Sequence, residues 1–347
     1  MSQATRTSVT HATQAWYPLC WSRSLRDRPL HVRVFGRPLV VFRSGNGAVG
    51  VFDDRCPHRN VPLSRGSVVD GELQCVYHGW RFNHLGECTQ VPGLCEEQPS
   101  PSARHTRAYP TQESQGIVWV WPSHSAPERA PFLMPTLDER YTALDIDVSA
   151  QASLQQTIEN ALDVPHTAFL HRGLFRTGAG RTISVRIVSA RDRVEAIYEN
   201  EDAPDGLVGR ILAPGGGQVE HSDRFILPSI QQVEYRIGDD AHVLITGACL
   251  PVEARETKMF VRILYRTRLP DRILGKVLKP LGLKIFQQDA EILRAQTETI
   301  AAFGEERFVS TALDVLGGRI LRLLRALEAG TLDELDPEEE RTLTMRV

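Results

Sequence analysis

Two pairs of metal-binding residue types stand out in the first hundred residues. Cys56 and His58 lie in the run CPHRN, and Cys75 and His78 in CVYHGW, so the order is Cys-x-His, sixteen residues, Cys-x-x-His. Two thiolates suit one iron of a [2Fe–2S] pair and two imidazoles suit the other, with histidine ligation raising the potential above that of an all-cysteine cluster. Tetrahedral zinc uses the same residue types. Zinc motifs seldom place one Cys and one His in each pair, so the mixed pairing favours iron and sulfide.

Around these ligands the sequence resembles the Rieske proteins, and the match extends across Arg59, Gly66, Tyr77, Gly79, Trp80 and Gly86. Respiratory members of that group carry an extra, disulfide-linked cysteine in each cluster loop. Here Val61 and Val76 occupy those neighbourhoods, so the chain is similar to the oxygenase branch or to a soluble Rieske ferredoxin. A bare ferredoxin would end near residue 120.

Further on, ENALDVPHTAFLH holds Asn160, Asp163, His166 and His171 at spacings of three, three and five. This resembles the mononuclear-iron motif of the Rieske oxygenases. The resemblance implies that His166, His171 and a later carboxylate form a facial triad on iron(II), leaving positions open for O2. It also implies that Asp163 connects His166 to the cluster ligand His78 across the subunits of a homotrimer. On a straight helix, residues five apart point about 140° away from each other. Pro165 removes a backbone donor, and a kink, a π-type turn or a break there would bring the two histidines together. Gly173 fits a helix stop.

For the carboxylate, Asp289 in FQQDAEILRAQ falls three or four positions from Ile285, Phe286, Ile292 and Leu293, on an inward helix face where a cation would offset its burial. Glu291 should face elsewhere. The family pattern of an aspartate followed seven residues later by glutamine matches Asp289 and Gln296. Taken singly, each histidine is more often a satisfied polar residue than a ligand, and Asp163 could be a surface charge; the combination with the upstream motif argues for metal. His221, after Gly215–Gly217, reads as a solvated loop residue.

The elements that must hold these residues read as α+β. Residues 1–15 are expected to form a flexible N-terminus and 16–125 an all-β Rieske domain. Its strands are read at Leu30 to Phe35, Pro38 to Phe42, Val49 to Phe52 and Gly116 to Trp121, with a turn over Ser44–Gly47. The proline-rich stretch from Pro122 to Pro135 marks the linker. Residues 126–332 form the catalytic domain, for which the resemblance implies a helix-grip (START/Bet v 1-like) fold with an antiparallel sheet. Ser153 and Gln156 form a capping box for its first helix. Strands follow at Ile183 to Val188, Arg193 to Tyr198, Phe225 to Ile237, Val243 to Leu250 and Met259 to Arg268, then helices over about Leu281 to Ala302 and Ser310 to Ala329. Residues 333–347 read as a loose acidic tail.

The chain has 347 residues, 40 Lys plus Arg against 43 Asp plus Glu, and a formal charge of −3, which makes no case for nucleic acid. Six cysteines are too few for a disulfide scaffold. Without a signal-like leader or a long apolar run, a cytoplasmic protein is expected. Arg272, Lys276, Lys279 and Lys284 read as a solvated helix face more readily than as a membrane contact. The runs at 178–180 (GAG) and 215–217 (GGG) lack the Rossmann setting, so NAD(P)H is expected to act through a separate reductase, with or without a ferredoxin. The resemblance implies electron flow from cluster to iron, O2 activation, and hydroxylation or oxidative demethylation. Apolar strands point to a bulky hydrophobic, polycyclic or steroid-like substrate. Aromatic-ring cis-dihydroxylation is the alternative outcome. A pure electron carrier would need the cluster without the triad, and a hydrophobic-ligand carrier the second domain without iron.

Overall fold

The computed structural model describes residues 7–94, 102–123, 125–174, 182–202, 206, 218–238, 241–267 and 271–346. Residue contacts divide the chain into two units: residues 13–133 with 250–253, and residues 1–12 with 134–249 and 254–347.

The first unit is all-β, with strands β1 (Tyr17–Trp21), β2 (Leu30–Val34), β3 (Arg37–Arg43), β4 (Val49–Asp53), β5 (Ser67–Val69), β6 (Glu72–Gln74), β7 (Arg81–Phe82), β8 (Cys88–Gln90), β9 (Thr111–Ser114) and β10 (Ile117–Val120). They form three antiparallel sheets in the orders β1-β10-β9, β2-β3-β4 and β5-β6-β7-β8. The turn over Ser44–Gly47 closes the β3–β4 hairpin, with the Gly47 N–H donating to the Ser44 carbonyl at 2.9 Å. Val40, Phe42, Phe52, Leu63, Leu73 and Phe82 pack into a core that also contains Cys56, Cys75 and Cys88. The cluster-motif cysteines thus grow from the packed floor of the domain.

The second unit begins with β11 (Thr142–Ala150) and α1 (Leu154–Ala161). The strands β12 (Thr182–Ala190), β13 (Arg193–Asp202), β14 (Gln218–Ile226), β15 (Ile230–Ile237), β16 (Ala241–Glu253) and β17 (Glu256–Arg266) follow. It ends with α2 (Asp271–Phe303), α3 (Gly317–Ala329) and β18 (Glu338–Arg346). The sheet has eight strands in the order β11-β17-β16-β15-β14-β13-β12-β18. The capping box is present: the Ser153 hydroxyl accepts from the Gln156 N–H, and the Gln156 side chain accepts from the Ser153 N–H.

The helix α2 starts earlier than expected and runs through Pro280, whereas α3 starts later, at Gly317. The stretch expected as one strand from Phe225 to Ile237 is a hairpin, β14 turning into β15. Leu293 on α2 packs on Ala150 and Ala152, and the Thr297 hydroxyl donates to the Gln151 carbonyl at 2.7 Å. Those contacts seat α2 against the entry to α1.

Two expectations about the termini are corrected. Within residues 1–15, Ser8, Thr10, Ala12 and Ala15 are buried. The Ser8 hydroxyl donates to Glu306 at 2.9 Å and accepts from the Ser153 hydroxyl at 2.8 Å, so satisfied buried polar groups tie down the described part of this segment, residues 7–15. Residues 338–346, expected in a loose tail, form β18 along β12, with Leu343 opposite Val185 and Met345 opposite Ile183. Met345 is buried while Glu338–Arg341 face solvent, so burial at a few alternate positions outweighs the acidic composition.

Candidate metal centres

The cluster motif occupies two loops, one between β4 and β5 and the other between β6 and β7. Each loop closes on itself. The Cys56 N–H donates to the Val61 carbonyl at 2.9 Å and the Asn60 N–H to the Cys56 carbonyl at 2.9 Å; the Cys75 N–H donates to Trp80 at 2.8 Å and the Gly79 N–H to Cys75 at 3.0 Å. Gly79 has φ +69°, and a Cβ there would stand 3.0 Å from Pro92, so glycine answers both to the backbone and to the crowding.

Cys56 and Cys75 are buried, and the His58 and His78 rings lie 4.5 Å apart, with Trp80 stacked on His58 at 4.7 Å. Burial, reinforced by the neighbouring Cys75 thiol, pushes the Cys56 thiol up to about 11. His58 is held below its usual value by desolvation and by His78 beside it. His58 Nδ1 is buried with no hydrogen-bond partner among the described residues. Two buried thiols beside two imidazoles, one with an orphaned nitrogen, form a donor set that suits a [2Fe–2S] group with thiolates on one iron and imidazoles on the other.

In the second unit α1 ends at Ala161, and a 3-10 turn, Pro165–Ala168, starts at Pro165. The expected kink is therefore a break: Pro165 opens a new turn, where its missing N–H costs nothing. The Leu170 N–H donates back to His166 at 2.8 Å, and Leu174 to His171 at 2.9 Å, which folds the segment tightly enough to turn both rings to one point. Gly173, at φ +83°, lies in the turn that follows.

His166 Nε2 and His171 Nε2 are 3.2 Å apart, and Asp289 Oδ1 stands 3.1 Å from His171 Nε2 and 3.5 Å from His166 Nε2. Divalent metals bind imidazole nitrogen at about 2.0–2.1 Å, and two such ligands at a right angle lie about 2.9 Å apart. The triangle is close to that size. Burial opposes charge on His166, yet hydrogen bonds to Asp163 and Asp289 raise it to about 9. Burial alone would raise the Asp289 carboxyl, and bonds from His166 and His171 hold it below its ordinary value. The point where the three groups meet favours positive charge, and the donor set suits a non-haem iron.

The other site expectations fall around this triangle. The Asp163 backbone carbonyl accepts from His166 Nδ1, while its carboxylate Oδ2 lies 3.6 Å from the same nitrogen and its side chain is 39% exposed. Asn160 joins through its backbone, its carbonyl accepting from the Asp163 N–H at 3.3 Å. The Gln296 side chain accepts from the Gln156 amide at 3.2 Å, tying α2 to α1. Ile292, expected on the inward face of α2, is 49% exposed. Lys279 and Lys284 are exposed, whereas the side chains of Arg272 and Lys276, the runs 178–180 and 215–217, and Cys95 lie outside the described residues.

Two features were missed. Gln288 Oε1 accepts from His171 Nδ1 at 3.0 Å, a role with no signature in the sequence. His221, expected in a solvated loop, is buried in β14. Its Nδ1 meets Glu201 at 2.7 Å and its Nε2 meets Asp223 at 3.1 Å, with the Tyr198 and Tyr235 rings stacked at 4.3 and 4.0 Å. Residues two apart on a strand share a face, so His221 and Asp223 were a readable pair once the strand is recognised. The same strand buries Val219 and Phe225, so this face mixes apolar groups with a charged cluster.

Residues 15–110 match the family described as Rieske [2Fe-2S] domain, and residues 150–330 match the vanillate O-demethylase oxygenase C-terminal domain. A cluster-bearing β-domain followed by an oxygenase catalytic domain defines the class, and the chain belongs to the Rieske oxygenase family. Among its relatives is Protein TIC 55 of Pisum sativum, 34% identical over 83% of this chain and 52% of that protein. Another is chlorophyllide a oxygenase of Arabidopsis thaliana, 31% identical over 92% of this chain and 58% of that protein. The chain thus spans about half the length of these curated relatives. The fold is shared with dicamba monooxygenase bound to 3,6-dichlorosalicylic acid: TM-score 0.79 at 21% identity, covering 94% of this chain and 100% of that one. Among the described residues no helix is long and apolar enough to cross a membrane.

Proposed function

We propose that the chain is an oxygenase component that takes electrons through a [2Fe–2S] cluster held by Cys56, His58, Cys75 and His78. They pass to a mononuclear iron(II) held by His166, His171 and Asp289. With O2 it hydroxylates or oxidatively demethylates a bulky, largely hydrophobic molecule. The observation that carries this reading is the meeting of three ligand atoms, all within 4.8 Å of one another, in a chain that also bears the Cys/His pairs. An electron carrier has no use for that triangle. When bound, the iron supplies open coordination positions for O2 beside the substrate.

The chain's own residues do the rest. His166 and His171 present Nε2 to the metal because their Nδ1 atoms are engaged elsewhere, and Asp289 brings the charge. In this reading the Asp163 carboxylate, partly exposed beside His166, links His166 to His78 of the partner subunit in a homotrimer of the kind the family resemblance implies. Monooxygenation with demethylation is favoured over cis-dihydroxylation by the match of residues 150–330 to a demethylase oxygenase domain. In this reading the protein works in the cytoplasm, with NAD(P)H reaching it through a separate reductase.

The test is chemical analysis followed by turnover. Purified protein should contain about three irons and about two acid-labile sulfides per chain. His166→Ala should lose one of those irons and all turnover while keeping the cluster spectrum. NADH alone should support nothing until a reductase is added. Zinc in place of iron, or full turnover by His166→Ala, would overturn the reading.

A further inference from the structure

His171 is gripped at both nitrogens by consecutive residues of one helix. Its side chain is 1% exposed; Nε2 faces Asp289 Oδ1 at 3.1 Å and Nδ1 faces Gln288 Oε1 at 3.0 Å. Neighbours on a helix point about 100° apart, so residues 288 and 289 of α2 can reach opposite sides of one imidazole ring. An amide oxygen only accepts hydrogen bonds. Nδ1 therefore carries a proton, and Nε2 is the nitrogen turned to the point where His166 Nε2 and Asp289 Oδ1 also converge.

The two histidines are held by different means. His166 Nδ1 is engaged by the backbone carbonyl of Asp163, three residues earlier on its own turn, an arrangement that no side-chain substitution at 163 removes. At His171 the contact to Nδ1 comes from another element. Its acceptor is a side chain 117 positions away.

We propose that Gln288 is a positioning residue of the mononuclear metal site: it fixes the tautomer and the ring plane of His171, so that α2 supplies both a ligand and the support of a second ligand. The proposal rests on the metal-site reading above. A neutral amide withdraws less of the Nδ1 proton than a carboxylate does, so a carboxylate at position 288 would make His171 a stronger donor to the metal.

The test uses the full chain with its cluster loaded and Co(II) titrated into the mononuclear site, so that the visible bands of the cobalt report ligand geometry independently of turnover. Gln288→Leu should weaken Co(II) binding about tenfold to a hundredfold and alter the bands, with the cluster spectrum and thermal midpoint unchanged. Gln288→Glu should restore or exceed the original affinity, a rescue that mere space-filling at position 288 does not predict. If Gln288→Leu binds Co(II) within about twofold of the unaltered chain while His166→Ala loses it, the role of Gln288 is overturned and the metal site stands. Undiminished binding in both variants would overturn the metal site and this proposal together. Should Gln288→Leu fold poorly, weaker binding by Gln288→Glu than by the unaltered chain would overturn the proposal on its own.

Discussion

Asp163 offers His166 two kinds of oxygen, and they do different things. The backbone carbonyl accepts from Nδ1, while the partly exposed carboxylate, 3.6 Å from the same nitrogen, adds its charge as an ion pair. Asp163→Asn keeps the carbonyl and discards the charge. Iron content should therefore be unchanged and the cluster should still accept electrons at its normal rate, while its reoxidation by O2 and substrate slows by about tenfold or more. Stopped-flow absorbance of the reduced cluster checks this, and an unchanged single-turnover rate would remove Asp163 from the electron path. At this scale the sequence was informative where spacing constrains chemistry. His166 and His171 are five apart with a proline before them, a pattern that called for a kink, a π-type turn or a break, and the structure has the break. Gln288 was not legible, because a glutamine beside an aspartate on a helix has no signature until the ring it supports is seen.

Among the elements, the two cluster loops depend on a packing detail in the strands that carry them. A Cβ at Gly66 would lie 2.0 Å from the Gln74 carbonyl oxygen and 3.0 Å from that of Leu63. Gln74 ends β6 and immediately precedes Cys75, so Gly66→Ala must push the start of the second cluster loop aside. Overpacking of this kind costs about 1–3 kcal/mol. The expected outcome is a lower unfolding midpoint with reduced iron and sulfide content in the first unit, and unaltered Co(II) binding at His166, His171 and Asp289.

The strands of this unit were readable because short β-branched and aromatic runs alternate with turn residues, as in β3 and β4. β14 was only partly readable. Its middle, Glu220 to Arg224, is polar on both faces, and His221 and Asp223 look solvated until Glu201 and two tyrosines are brought to them from β13 and β15.

For the whole molecule, that buried cluster links stability to pH. Burial works against charge on His221, but Asp223 and Glu201 raise it to about 9, while an unfolded histidine titrates near 6.5. A raised pKa stabilises the fold fully below about pH 6.5, and the contribution is lost as pH climbs through about 9. Urea unfolding of iron-loaded protein should show this decline, and His221→Gln should flatten it between those limits. Iron loading matters because His166 titrates in the same range only without metal. A wild-type decline that persists in His221→Gln would assign the effect elsewhere.

The last strand has a consequence of its own. β12 would otherwise present its open ladder of N–H and C=O groups to any passing chain, the usual starting point for edge-to-edge aggregation. β18 takes up that ladder and becomes the new rim, with the side chains of Glu338, Glu339, Glu340 and Arg341 solvent-exposed on alternating faces. A run of charge is poor at recruiting another strand, so the acidic stretch guards this edge against strand pairing, and trimming it would leave a sticky margin where the fold now has a repellent one.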